Sequence, residues 1–472
     1  MKLFFNFLIF SLCFSLSTIF AQEKDLSGSW VGKLKLPNGI QLTIVFNLEK
    51  TGNDYSGTLD SPDQGAKGIP CGKIEIENDS IRIDVPVIVG NYTGKINYDD
   101  KRITGYWNQA GSSFELNLEY TIEVSAPKRP QEPKPPFPYN VEEVRFRNEK
   151  DNITLAGTLT YPKENKKYPA VVLITGSGAQ NRDEEIFNHK PFLVIADHLT
   201  KNGFAVLRFD DRGFGESEGN YSLATTMDFA EDVRAAVNFL KTRNEIDNQR
   251  IGLIGHSEGG MIASIIASTN DDIAFIVLMA APGVPGDSIL YLQTELIYKA
   301  EGQNTEKIQQ ILKVLREVYS ILKSDEDDTS LKEKLKIKFQ ELFDQLTEEE
   351  KKQYGDPETY MEMEIRMVMS PWFRYFLKFN PIEYLEKIKC PVLAINGEKD
   401  LQVSPNENLS AIENVLKRSG NKRYLIKQLP GLNHLFQASQ YGTISEYGVI
   451  EETISPVALE TITNWLKEII QQ

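Results

Sequence analysis

The chain has 472 residues, 41% of them hydrophobic and 25% charged, with a net charge of −15. That length supports a sizeable core shared between about two domains, and the composition is that of an ordinary globular protein. The acidic balance argues against a nucleic-acid binder and against a protein held to anionic bilayers by charge.

Lys2 precedes an almost uninterrupted apolar run from Leu3 to Phe14, and small Ala21 precedes polar Gln22. This predicts a secretory signal peptide over 1–21, and so an exported protein, periplasmic or extracellular, with no stable membrane insertion after its removal. Loss of Lys2 takes the net charge to −16. Cys13 leaves with the signal. Cys71 and Cys390 fall in different domains without metal-type spacing, which predicts two free, buried thiols and no metal site. A cross-domain disulfide is the alternative in an oxidising compartment.

Residues 22–125 read as an all-β domain. Alternation predicts strands over 30–34, 40–48, 55–59, 74–76, 81–85, 103–107 and 114–118, with turns at Asn38-Gly39, Gly52-Asn53-Asp54 and Tyr98-Asp99-Asp100. Glycine recurs in Tyr55-Ser56-Gly57, Tyr92-Thr93-Gly94 and Ile103-Thr104-Gly105, as in an antiparallel meander closing towards a small barrel. Trp30, Tyr92, Tyr106 and Trp107 read as barrel core, with a glycan- or lipid-binding face as the competing role. Residues 126–139 carry six prolines and predict a semi-rigid, extended linker.

From 140 to 472 strands and helices alternate. Val144–Arg147 and Thr154–Tyr161 read as an antiparallel pair. Ala170–Thr175, Ala205–Phe209, Ile251–Ile254, Ile273–Ala280 and Val392–Asn396 read as buried parallel strands. Helical patterns near 190–202, 228–243, 259–268, 406–419 and 456–470 complete an α/β sheet covered on both faces. Residues 285–388 interrupt the alternation with charged, strand-free helices, and predict a lid. Met361, Met363, Met367, Met369, Trp372, Phe373, Tyr375 and Phe376 read chiefly as its core, some of them facing a pocket.

Gly255-His256-Ser257-Glu258-Gly259 joins a buried strand to a small-residue helix. Glycines two before and two after the serine allow a sharp elbow that exposes a nucleophile beside a helix N-terminus. Gly215-Glu216-Ser217-Glu218-Gly219 matches the same pattern but lies in turn-rich sequence, so Ser217 reads as a loop residue. A serine hydroxyl needs a base and a group to orient that base. Of four histidines, His256 sits inside the elbow, while His189 and His198 precede it near an early helix. His434, in a loop after the strand 424–428, is the candidate base. Asp400 follows the strand 392–396 and is the candidate orienting acid, with Glu398 as its competitor. The candidate oxyanion donors are the backbone N–H of Glu258 and that of Ser177 in Thr175-Gly176-Ser177-Gly178, with Gly178 as fallback.

These segments resemble the α/β-hydrolase superfamily, specifically secreted bacterial carboxylesterases grouped with serine aminopeptidase-like hydrolases. The resemblance rests on Gly176–Asp183, Asp210–Ser217, Gly255–Gly260, Ser370–Tyr375, Gly397–Val403 and Gly431–His434, and Asp60–Ala66 resembles the β-rich domain that precedes such enzymes. It implies an α/β-hydrolase fold, mostly parallel sheet with a helical lid. It also implies a cofactor-free serine hydrolase acting on small-molecule carboxylic esters of short to medium acyl length. Arg182 and Arg212 would lie in structural ion-pair loops. Thr175 departs from the histidine common before the oxyanion-loop glycine. Two alternatives stand beside this: an aminopeptidase, with Glu362 and Glu364 as candidates for holding a free amine, and a glycan- or lipid-binding module with secondary hydrolysis.

Overall fold

The computed structural model describes residues 25–471 apart from 36–40, 53, 65, 110–111, 123–127, 345–350 and 352–356. The signal over 1–21 and the Asn38-Gly39 turn lie outside the described residues.

The first unit contains β1 (Gly28–Lys35), β2 (Gln41–Thr51), β3 (Asp54–Ser61), β4 (Ala66–Pro70), β5 (Ile74–Glu77), β6 (Ser80–Val85), β7 (Gly90–Asn97), β8 (Arg102–Gln109), β9 (Ser112–Glu115) and β10 (Leu118–Thr121). Their order is β4-β3-β2-β1-β10-β8-β7-β6-β5, with β9 added on β8, and every pairing is antiparallel. The two ends of this path, β4 and β5, are consecutive in the chain. Between them the Cys71 N–H donates to Gly57 of β3, and the Gly72 N–H donates to Asp84 of β6. The sheet therefore curls until its edges meet, which removes exposed strand edges.

Alternation puts Trp30, Phe46, Ile83, Tyr92, Ile103 and Trp107 inside. The Trp30 indole donates to the Leu26 carbonyl and the Tyr92 hydroxyl to that of Leu116, so both buried polar tips are satisfied. Tyr106 departs from the core reading. It is 54% exposed, because its neighbour Trp107 takes the inward position. Alternation is also weak in β4, where proline, glycine and lysine surround Ile69, which packs on the barrel core, and that strand was not legible.

The proline-rich segment is more than a spacer. The Arg129 guanidinium donates to the carbonyls of Phe187, Asn188, Gly448 and Ile450, and Gln131 pairs with the backbone of Thr453 and Ile454. Beside it the barrel's Pro62 carbonyl accepts from the Asn188 amide. A Cβ on Gly448 would fall 1.0 Å from the Asp63 carbonyl oxygen, so backbone meets backbone where the barrel docks.

The second unit runs β11 (Asn140–Asn148), β12 (Ile153–Tyr161), β13 (Tyr168–Ile174), α1 (Pro191–Lys201), β14 (Ala205–Phe209), α2 (Thr226–Lys241), β15 (Ile246–His256), α3 (Glu258–Ala267) and β16 (Ile276–Met279). The lid follows, with α4 (Gly286–Ala300), α5 (Thr305–Lys323), α6 (Asp328–Asp344), α7 (Pro357–Val368), α8 (Pro371–Lys378) and α9 (Ile382–Leu385). The chain closes with β17 (Val392–Gly397), α10 (Pro405–Arg418), β18 (Tyr424–Leu429), α11 (Ile444–Tyr447) and α12 (Pro456–Ile470). The strand order is β11-β12-β14-β13-β15-β16-β17-β18, parallel from β14 onwards.

Every residue of β13 is buried, as a strand covered on both faces requires. Ala170, Val172 and Ile174 pack with α2, α3 and α10, while Val171 and Leu173 pack with α1 and α12. This is the two-sided α/β sheet expected from the alternation, and it fits the α/β-hydrolase fold that the resemblance implies. In the lid, Met361 and Phe376 are buried, but Met363 and Met367 are 62% and 55% exposed and do not belong to its core. Cys71 and Cys390 are free, but only half-buried. Burial pushes their thiols up to about 11 and about 12. Among the described residues no helix is long and apolar enough to cross a membrane.

Candidate active site

β15 ends at His256 and α3 begins at Glu258, so Ser257 alone makes the reversal, at φ 52° and ψ −117°. That is a strained backbone for a residue with a side chain. The flanking glycines make it possible. A Cβ on Gly255 would lie 2.0 Å from the Gly259 carbonyl oxygen, and one on Gly259 would lie 2.1 Å from that of Ile174. The Ser257 hydroxyl has no hydrogen-bond partner among the described residues. As the first helical residue, Glu258 keeps a backbone N–H with no intrahelical acceptor.

Asp400 and His434 come together from the loops after β17 and β18, with Nδ1 of the histidine 2.7 Å from Oδ2 of the aspartate. Oδ1 accepts the N–H groups of Gln402 and Val403 at 2.8 and 2.9 Å, which holds the carboxylate in place. An acceptor-only partner puts the imidazole proton on Nδ1 and leaves the Nε2 lone pair free. Glu398 is otherwise engaged, accepting the Gly431 N–H at 2.8 Å as a turn residue.

The loop after β13 passes beside the elbow. A Cβ on Gly176 would stand 3.4 Å from Cβ of Ser257. The Gly176 N–H donates to Glu184 and the Gly178 N–H to the Tyr221 hydroxyl. Of these three loop amides only that of Ser177 has no acceptor among the described residues. Thr175, the departure from the family pattern, donates its hydroxyl to Asp211 at 2.7 Å and so ties this loop to the one after β14. Burial pushes the Asp211 carboxyl up to about 8.

The lid is anchored on the residue after Ser257. Trp372 of α8 donates its indole N–H to both carboxyl oxygens of Glu258, at 2.8 and 2.9 Å, and Thr226 donates to the first at 2.6 Å. Glu258 is only 2% exposed, and this burial raises its carboxyl to about 7. Beside it lies a small cavity of about 20 Å³, room for one water, lined by Thr175, Gly176, Asp211, Tyr221 and Glu258 among others.

The other candidates have structural settings. The Ser217 hydroxyl donates to the Asp210 carbonyl and accepts the Ala156 N–H, pinning a loop against β12. Arg182 grips Asp210 in two places, and Arg212 does the same to Asp232. His189 lies between the Tyr447 carbonyl and the Thr453 hydroxyl, and burial lowers it to about 4, so it is neutral. His198 bonds Thr463 and joins α1 to α12. His256 points away from Ser257 towards Glu184 and the His434 carbonyl. The partnerships of Glu184 and Trp372 were missed in the sequence. The one signal was the charged run Arg182-Asp183-Glu184-Glu185, which reads as loop surface.

The serine aminopeptidase, S33 family matches residues 190–438, more than half of the chain, from the start of the α1 region to just past His434. The esterase EstD of Thermotoga maritima is 26% identical over 66% of this chain and 65% of its own length. The match therefore takes in just under two thirds of that relative. An uncharacterised 31.7 kDa protein of Escherichia coli is 28% identical over 57% of this chain and 84% of its own length. Among solved structures, the Pyrococcus furiosus esterase Pf2001 aligns at 19% identity and a TM-score of 0.42, covering 71% of this chain and 91% of its own.

Proposed function

The chain belongs to the serine aminopeptidase S33 family of α/β hydrolases, and on that footing we propose that it hydrolyses carboxylic esters through an acyl-enzyme. The observation that carries this is the strained, glycine-flanked Ser257, whose neighbour His256 bonds the backbone of a His434 already oriented by Asp400. In this reading the Ser257 oxygen attacks the ester carbonyl as its proton passes to Nε2 of His434. The imidazolium then protonates the departing alkoxide, and water repeats the sequence to release the acid. The Asp400 carboxylate stabilises the imidazolium. The N–H groups of Glu258 and Ser177 receive the oxyanion, each worth about 3–4 kcal/mol of transition-state stabilisation. The lid helix is anchored through Trp372 on Glu258, next to the nucleophile, and the lid's aromatic and methionine positions support a preference for short to medium acyl chains.

The family's description makes an aminopeptidase the second reading. A peptidase of that kind needs an acid free to hold the substrate's amine. The acids around the elbow are occupied: Asp211 by Thr175 and Gln180, Glu184 by Gly176 and His256, Glu258 by Thr226 and Trp372. Glu362 is exposed on the lid, and the Glu364 carboxyl, raised by burial, bonds Tyr360. This favours esters. The decisive assay compares short p-nitrophenyl esters with aminoacyl-p-nitroanilides on wild type and Ser257→Ala. Esters should lead by at least ~100-fold in kcat/KM, roughly 2.7 kcal/mol, with both activities lost in the variant. Preference for anilides would promote the peptidase. Export belongs to the same proposal: the N-terminus of the mature chain should be Gln22, recovered outside the cytoplasm.

A further inference from the structure

Groups that this chemistry does not use converge beneath it. Glu184, in the loop between β13 and α1, is 3% exposed and held at a φ of 52°. Its Oε1 accepts the Gly176 N–H at 2.8 Å and lies 2.9 Å from Nδ1 of His256. The other ring nitrogen, Nε2, lies 3.0 Å from the carbonyl oxygen of His434. One carboxylate oxygen thus links the oxyanion loop to His256, and His256 carries that link to the backbone of the general base.

A carbonyl can only accept, so Nε2 of His256 carries a proton, and the contact with Glu184 holds a second. The pair is an imidazolium against a carboxylate. Burial opposes the charged ring, but the Glu184 charge and hydrogen bond, the His434 carbonyl and the more distant Asp400 outweigh it and raise His256 above its ordinary range. The two imidazole rings are 4.8 Å apart between centroids. The titratable groups around the pair are His434 and Asp400, with Asp211 sensing the Glu184 charge from the loop after β14.

We propose that Glu184 and His256 are positioning residues, a buried bridge that sets the distance between the oxyanion loop and the His434 peptide. Donor and base then reach one substrate carbonyl together. This rests on the acyl-transfer reading above. It explains why the elbow holds a histidine that does not face the nucleophile.

Glu184→Gln tests it. An amide oxygen at the shared position serves Gly176 but leaves His256 one proton for two acceptors. An amide nitrogen serves His256 but faces the Gly176 N–H with a second donor. One arm opens in either case. The expected result on a short p-nitrophenyl ester is a ~10–100-fold lower kcat, with KM within about threefold. The acid limb of the kcat/KM profile should move up by about half a pH unit, because a positive charge beside the base is lost. His256→Asn should show the same kcat defect with a larger shift, since the carboxylate remains, and it carries the test if Glu184→Gln does not fold. The double variant should be no worse than the poorer single one. Wild-type kcat and an unmoved pH profile would overturn the inference, as would a defect confined to KM or melting temperature. Activity retained in Ser257→Ala would instead overturn the acyl-transfer reading itself.

Discussion

Glu258→Gln isolates the cost of keeping a carboxyl between the elbow and the lid. In the native protein this group ionises at about 7, against an ordinary 4.5 in an unfolded chain, because burial outweighs the hydrogen bonds from Thr226 and Trp372. Below pH 4.5 both states hold the proton and there is no penalty. Between pH 4.5 and 7 the unfolded chain has released a proton that the native state retains, so native stability falls as pH rises. At ~1.4 kcal/mol per pH unit the loss reaches about 3 kcal/mol above pH 7. Glutamine keeps one acceptor for Thr226 and Trp372 and has no charge to bury. The variant should therefore melt close to wild type at pH 5 and ~5 °C above it at pH 8, taking ~2 °C per kcal/mol for a domain of this size. Easier ionisation of Asp211, whose own elevation owes part to the Glu258 charge, adds to the gain in the same direction. Melting curves of both proteins from pH 5 to 8 decide the matter. A difference that does not change with pH, or a variant less stable at pH 8, would refute the reasoning.

Asp400→Asn should lower kcat by about 10³–10⁴-fold without unfolding the chain, since an amide no longer fixes the imidazole proton on Nδ1. Glu398→Gln should leave turnover largely intact, and the reverse outcome in these assays would transfer the role to Glu398. Ser217→Ala should retain full esterase turnover while losing about 1 kcal/mol of stability, because the Ala156 N–H and Asp210 carbonyl lose their partner. Arg129→Ala strips four backbone carbonyls of their donor. Limited proteolysis should then cut between barrel and hydrolase unit several-fold faster, with the two fragments otherwise intact.

The elbow and the two-sided α/β sheet were legible because each is written over a few neighbouring residues. Glycine spacing reports a backbone that must turn within van der Waals contact, and a run such as Ala170–Ile174 reports burial on both faces. That Asp400 rather than Glu398 meets His434 was also locally legible, since Glu398 follows β17 directly and belongs to the turn. Closure of the barrel through Cys71–Lys73 was not legible, nor was Tyr106 lying outside while Trp107 lies inside. Both depend on which strands become neighbours, and on register. The same holds beneath the site. Glu184 meets His256 across 72 residues, and Trp372 meets Glu258 across 114. Periodicity carries no record of such meetings. A buried carboxyl looks like any surface glutamate until folding removes its water, and only then do charge, hydrogen bonds and proton position depend on the partner supplied from a distant part of the chain.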